Sequence, residues 1–121
     1  LADEVRAAAG DGAFSAAGAL TLLGSAELIR RCSVVVTNDS APQHLASAVG
    51  TPTIAIFGPT VPQFGFGPLA DGSVTMGLDA LPCRPCDRHG PRRCPLRHWR
   101  CMREIGADDV AARVFDILGP G

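Results

Sequence analysis

Two short apolar runs constrain this chain most: Ser33–Thr37, built on Val34-Val35-Val36, and Thr53–Phe57, which reads Thr-Ile-Ala-Ile-Phe. A continuously apolar, β-branched run has no face suited to water, so it fits a strand covered on both sides, as in a parallel sheet. Between the runs, Asn38–Pro42 makes a turn, and Gln43–Val49 carries Leu45, Ala46, Ala48 and Val49 at helical spacing before Gly50. Strand, turn, short helix and strand form a compact βαβ unit, whose crossover is right-handed in about 98% of cases.

The flanking segments read as follows. Leu1–Ala9 places Leu1, Val5 and Ala8 or Ala9 on one helical face and stops at Gly10. Ala13–Ala17 reads as a short strand. Thr21 is the expected N-cap of a helix through Arg31, with Arg30 and Arg31 suited to the negative end of its dipole. After Phe57 the texture changes: prolines and glycines punctuate a loop, Ser73–Met76 reads as one more strand, and residues 81–102 are dense in Cys, Arg and Pro without periodicity. Asp108–Leu118 closes the chain as a helix, with Val110, Val114, Phe115 and Leu118 on its apolar face. The chain reads as one α/β domain with an irregular insertion.

Composition narrows the functional classes. A hydrophobic content of 46% in 121 residues is ordinary for a globular domain and argues against disorder. The formal charge of -1 gives no global attraction to nucleic acid or to an anionic membrane, although seven of the eleven basic residues, all arginine, lie between Arg84 and Arg103. That stretch is either a phosphate-facing patch or a solvated charged loop. No apolar run reaches the roughly 18–20 residues of a membrane span, and no signal-peptide pattern is present. Leu1 at the start, inside a helical pattern, suggests an excised fragment.

The turn from Thr37 to His44 carries the chemistry. It joins the carboxyl end of a buried parallel strand to a helix start, where ligands of open α/β sheets bind. The N–H groups of Ser40 and Ala41 are expected to point outward there, the helix dipole adds positive character, and His44 brings a further donor in the first turn. These features suit an anion. Asn38, Asp39 and Ser40 are equally ordinary capping residues, and Pro42 is ordinary at the first position of a helix. Spacing alone leaves both readings open.

The segment Thr37-Asn38-Asp39-Ser40-Ala41-Pro42-Gln43-His44-Leu45-Ala46, followed by Gly50-Thr51-Pro52-Thr53 and Phe57-Gly58-Pro59-Thr60, resembles the donor-site signature of the heptosyltransferases of glycosyltransferase family 9. The resemblance runs without a gap across this region and more loosely over the remaining chain. It implies a Rossmann-like parallel sheet with flanking helices, the C-terminal half of a two-domain GT-B enzyme, so that residues 1–121 would be a single nucleotide-sugar-binding domain with a Cys-rich insertion at 81–102. It further implies donor contacts from Asp39, Ser40, Ala41, Pro42, His44, Gly58, Pro59 and Thr60. The family often has Gly where Ala41 stands, so Ala41 requires a negative φ.

The implied reaction is inverting transfer of heptose from ADP-heptose to a lipid-linked acceptor in lipopolysaccharide core assembly. The catalytic carboxylate and the acceptor site would belong to the other half, and catalysis would require no cofactor. The implied location is cytoplasmic, at the inner face of the inner membrane. Another GT-B sugar-nucleotide enzyme is the nearest alternative.

Four of the five cysteines, Cys83, Cys86, Cys94 and Cys101, follow a CxxC-led spacing that fits a structural zinc, with His98 or His89 as a substitute ligand. Disulfides and free thiols are the other readings. Cys32 stands apart and is expected to be buried as a small hydrophobe. A zinc-dependent nucleic-acid module based on Arg84–Arg103 is the competing functional class, but the stretch offers a single aromatic, Trp99, and leaves the Asn38–His44 turn unexplained.

Overall fold

The computed structural model describes residues 1–121. Helix α1 spans Ala2–Ala9, α2 Leu22–Arg30, strand β1 Val35–Asn38, helix α3 Ala41–Val49, and strand β2 Thr53–Ile56. A 3-10 turn at Pro62–Phe64, strand β3 at Val74–Met76, a one-turn helix α4 at Arg100–Arg103 and helix α5 at Ala107–Leu118 complete the chain. The three strands form one parallel sheet in the order β1-β2-β3. The α/β, Rossmann-like reading therefore holds, and the expected βαβ unit is β1-α3-β2.

The central strand explains the arrangement. Thr53, Ile54 and Ala55 are fully buried because β2 has a parallel neighbour at each edge and helices packed against it. Helix α3 packs on β1 and β2, α2 packs on α3, and α5 packs on β2. Phe57 extends the ladder past the strand by donating its N–H to Met76 O at 2.8 Å, and its ring is 1% exposed. The core is thus small and concentrated where β2 ends.

Local sequence accounts for the helix ends. Thr21 Oγ1 accepts from Gly24 N at 3.1 Å, the expected N-cap bond. Glu27 accepts from both Arg30 and Arg31, and these bonds, Arg30's first, hold its carboxyl at about 2. Helix α3 stops at Gly50 in the left-handed region (φ 76°), while Thr51 N returns to Ala46 O.

Several expectations fail for identifiable reasons. Ala13–Ala17 is not a strand: it runs between turns with Phe14 93% exposed, and no neighbouring strand pairs with it. Cys32 is exposed, its thiol directed at Leu28 O, because the chain turns outward between α2 and β1. On α5, Val110, Val114 and Ile117 are partly covered, whereas Phe115 and Leu118 stay exposed. Every residue of α1 is exposed as well. No helix is long and apolar enough to cross a membrane.

Substitution of Ile54 tests whether β2 anchors the domain. Ile54→Ala removes a fully buried side chain and is expected to cost about 2–5 kcal/mol, whereas the same truncation at the exposed Leu69 should cost under about 0.5 kcal/mol. Denaturant unfolding of the two variants measures the difference; equal midpoints would contradict this account.

Candidate functional site

A cleft of about 260 Å³ opens where β1 and β2 end, walled by Asn38, Asp39, Ile56, Gly58, Pro59 and Thr60 on the sheet side. His89, Gly90, Pro91 and Met102 close it from the Cys-rich insertion. This is the position that parallel-sheet geometry assigns to a ligand.

Of the residues expected at the donor site, Asp39, Gly58, Pro59 and Thr60 line this cleft. Ser40, Ala41, Pro42 and His44 stand beside it on the start of α3 rather than in its wall, and His44 is exposed in the first turn. The helix begins at Ala41, two residues before the expected Gln43, so Pro42 occupies its second position. Ala41 is not among the residues with positive φ, so an Ala is accommodated there without strain.

The capping alternative can now be weighed. Ser40 is the N-cap residue, but its side chain makes no cap hydrogen bond. Its hydroxyl donates instead to Asn38 Oδ1 at 2.7 Å, and Asp39 Oδ2 accepts from Thr60 Oγ1 at 2.8 Å. The three polar side chains of the turn therefore brace each other and the neighbouring loop. The N–H groups of Ser40 and Ala41 find no backbone acceptor, and Pro42 has none to offer. An α-helix of nine residues thus starts with free donors and the positive end of its dipole beside the cleft.

The Asp39–Thr60 bond ties the end of β1 to the loop after β2, and Thr60 is 4% exposed. Gln43, fully buried on α3, donates to Phe66 O and so fixes the next loop. These two bonds fix separate segments of chain relative to one another around the cleft.

Sequence reasoning missed three participants. Met102 packs so closely on Gly58 that a Cβ there would lie 2.5 Å from its Sδ, which marks Gly58 as a contact between the loop and α4. His89, Gly90 and Pro91 reach the cleft from a segment that carries no periodic signal. Arg84, counted among the charges of a stretch read as either a phosphate-facing patch or a solvated loop, has a side chain only 3% exposed. Neither composition nor spacing distinguishes it from its six exposed neighbours.

The cysteines form a loosely associated thiol group. Cys83 Sγ lies 3.9 Å from His98 Nε2, and Cys86 N donates to Pro59 O at 3.0 Å. No three His, Cys, Asp or Glu side chains converge on one point in this structure. All five thiols are free. Burial, followed by the neighbouring Cys83, Cys101 and Cys94, pushes the Cys86 thiol above its usual range. Backbone N–H groups, Trp99's foremost, hold the Cys94 thiol below it.

The fold and cleft define a Rossmann-like α/β domain with unpaired amides at the start of α3, beside the cleft at the carboxyl edge of its sheet. The family model described as glycosyltransferase family 9 (heptosyltransferase) matches residues 2–98, and the chain belongs to that family. A lipooligosaccharide heptosyltransferase 2 of Campylobacter jejuni is 33% identical over 87 residues, covering 72% of this chain and 26% of that protein. Its counterpart in Haemophilus influenzae is 40% identical over 77 residues, 61% of this chain and 22% of the relative. The lipopolysaccharide heptosyltransferase 1 of Pseudomonas aeruginosa is 39% identical over 67 residues, 55% of this chain and 18% of the relative. The chain therefore spans between 18% and 26% of the length of these relatives. No solved structure matches it.

Two outcomes follow from this geometry. Thr60→Val leaves the Asp39 carboxylate without its partner and is expected to cost about 1–2 kcal/mol in thermal unfolding, with Thr60→Ser restoring most of it. Among the thiols, the depressed group holds more thiolate near pH 8, so Cys94 should be alkylated by iodoacetamide faster than Cys86, as read by peptide mass spectrometry. The reverse order would contradict the assigned environments.

Proposed function

We propose that this chain is the donor-binding part of an inverting heptosyltransferase of lipopolysaccharide core assembly, with ADP-heptose or a closely related nucleotide sugar as its ligand. The observation that carries the reading is the start of α3. Ser40 and Ala41 keep their N–H groups unpartnered beside a cleft whose polar side chains are already engaged with each other. A diphosphate would complete those donors and meet the helix dipole. Membership of the family, and relatives named as heptosyltransferases, support the choice of sugar class.

In this reading, charge developing on the departing diphosphate is stabilised by Ser40 N–H, Ala41 N–H and His44, the role a metal plays in other transferases. The acceptor hydroxyl and the carboxylate that removes its proton belong to the other half of the enzyme, so this chain binds and orients the donor. The whole protein would act on a lipid-linked acceptor, in the cytoplasm at the inner face of the inner membrane.

His44 is the residue to test. A preorganised donor of this kind contributes roughly 3–4 kcal/mol, so His44→Ala in the intact enzyme is expected to lower turnover by about 10²–10³ while leaving its unfolding transition unchanged, as His44 is exposed. Heptose transfer measured by release of nucleoside diphosphate gives the answer. Turnover within about threefold of the parent enzyme would refute the assignment.

A further inference from the structure

Arg84 sits between Cys83 and Pro85-Cys86, and the six other arginines of the stretch that ends at Arg103 are exposed. Burying a guanidinium is unfavourable unless its donors are satisfied, so a buried one reports a specific use. Arg84 Nε donates to Gly58 O at 2.5 Å, and Nη2 donates to Phe57 O and Thr60 O, each at 3.0 Å. Nη1 makes no hydrogen bond. It lies 3.6 Å from Asp79 Oδ1, whose side chain is 99% exposed. Gly77 makes room for this arrangement, since a Cβ there would lie 2.7 Å from Nη2 and 2.8 Å from Phe57 O.

The three carbonyls bonded to Arg84 belong to the segment leaving β2, and Gly58 and Thr60 wall the cleft. In a trans peptide the C=O and the following N–H point in opposite directions. Drawing the Phe57 and Thr60 carbonyls to Arg84 therefore turns the Gly58 and Val61 N–H groups away from it, and neither has a backbone partner. The same fork fixes the loop that Asp39 grips through Thr60. A full positive charge stands directly behind the cleft wall. Its counter-charge, Asp79, is solvent-exposed and therefore well screened. The Arg84 charge opposes the Asp39 carboxylate in the same wall and shifts the cleft toward an anion.

We propose that Arg84 is a positioning residue for an anionic donor of the nucleoside-diphosphate class, acting through the Phe57–Thr60 backbone and through its charge without touching the ligand. This rests on the reading of the cleft edge as a donor site. Arg84 does two separable things: its planar fork shapes three carbonyls, and its charge biases the cleft toward anions. Lysine preserves the charge and loses the fork.

The test is calorimetric titration of the intact protein with ADP and with UDP, alongside thermal unfolding, for the parent and for Arg84→Met, Arg84→Lys and Asp79→Asn. Arg84→Met is expected to weaken the preferred nucleotide by about tenfold or more, and Arg84→Lys by about threefold. Asp79→Asn removes an exposed counter-charge and should tighten binding about twofold at low salt, an effect lost near ~0.5 M salt, with no change in melting. The gain should vanish when Asp79→Asn is combined with Arg84→Met, whereas a direct effect of the lost carboxylate would persist in the double variant. If Arg84→Met fails to fold, Arg84→Lys and Asp79→Asn carry the test. Binding unchanged in both, with a parent protein that does bind nucleotide, overturns the role of Arg84 alone. A folded parent protein that binds neither nucleotide overturns the donor-site reading and this proposal with it.

Discussion

The domain depends on one constraint: β2 must be paired on both edges and covered by helices, because Ile54 and Ala55 are apolar and the Thr53 hydroxyl is already bonded to Thr51 O. A parallel neighbour on each side forces the chain to cross over between strands, and the crossovers bring it back to the same end of the sheet. The segments after β1 and β2 therefore emerge side by side. What looks like a collection of polar loops is the necessary rim of a small parallel sheet.

Two kinds of interaction convert that rim into a site. Side chains lock neighbouring loops together, as Thr60 does to Asp39 and Gln43 does to Phe66. Backbone groups are then sorted by direction, with carbonyls after β2 gathered by Arg84 and the first amides of α3 left unpaired. In the proposed reading, fixed amides and a buried cation would need no rearrangement to receive an anion, which is the physical content of preorganisation. The exposed faces of α1 and of Phe115 and Leu118 on α5 lie away from this arrangement and take no part in it.

The parts legible from sequence were those governed by local rules. Thr53–Phe57 announced a buried strand, Thr21 announced a helix start, and the Asn38–His44 turn stood at the end of β1. Val34-Val35-Val36 announced a strand but not its burial: β1 is at the sheet edge, and Val36 is 45% exposed. Ala13–Ala17 misled because a short apolar run can become a strand only if a partner lies alongside, and none does. Cys32 misled because burial is decided by the path of the chain, not by residue type. Arg84, Met102 and the segment from His89 to Pro91 were invisible for a deeper reason. Their roles arise from contacts between distant segments, 24 to 27 residues apart for Arg84, and no periodicity encodes such contacts.

Membership in glycosyltransferase family 9 fixes the kind of chemistry to look for, while the free amides at α3 say where to look. The central claim is that a nucleoside diphosphate seats on that helix start. Amide chemical-shift mapping during titration with ADP, and separately with UDP, addresses it directly. The account predicts saturable shifts concentrated at Ser40, Ala41 and His44 and extending to Gly58 and Thr60, with ADP preferred. Shifts confined to the exposed arginines of the Cys-rich insertion, or none at millimolar nucleotide, would contradict it.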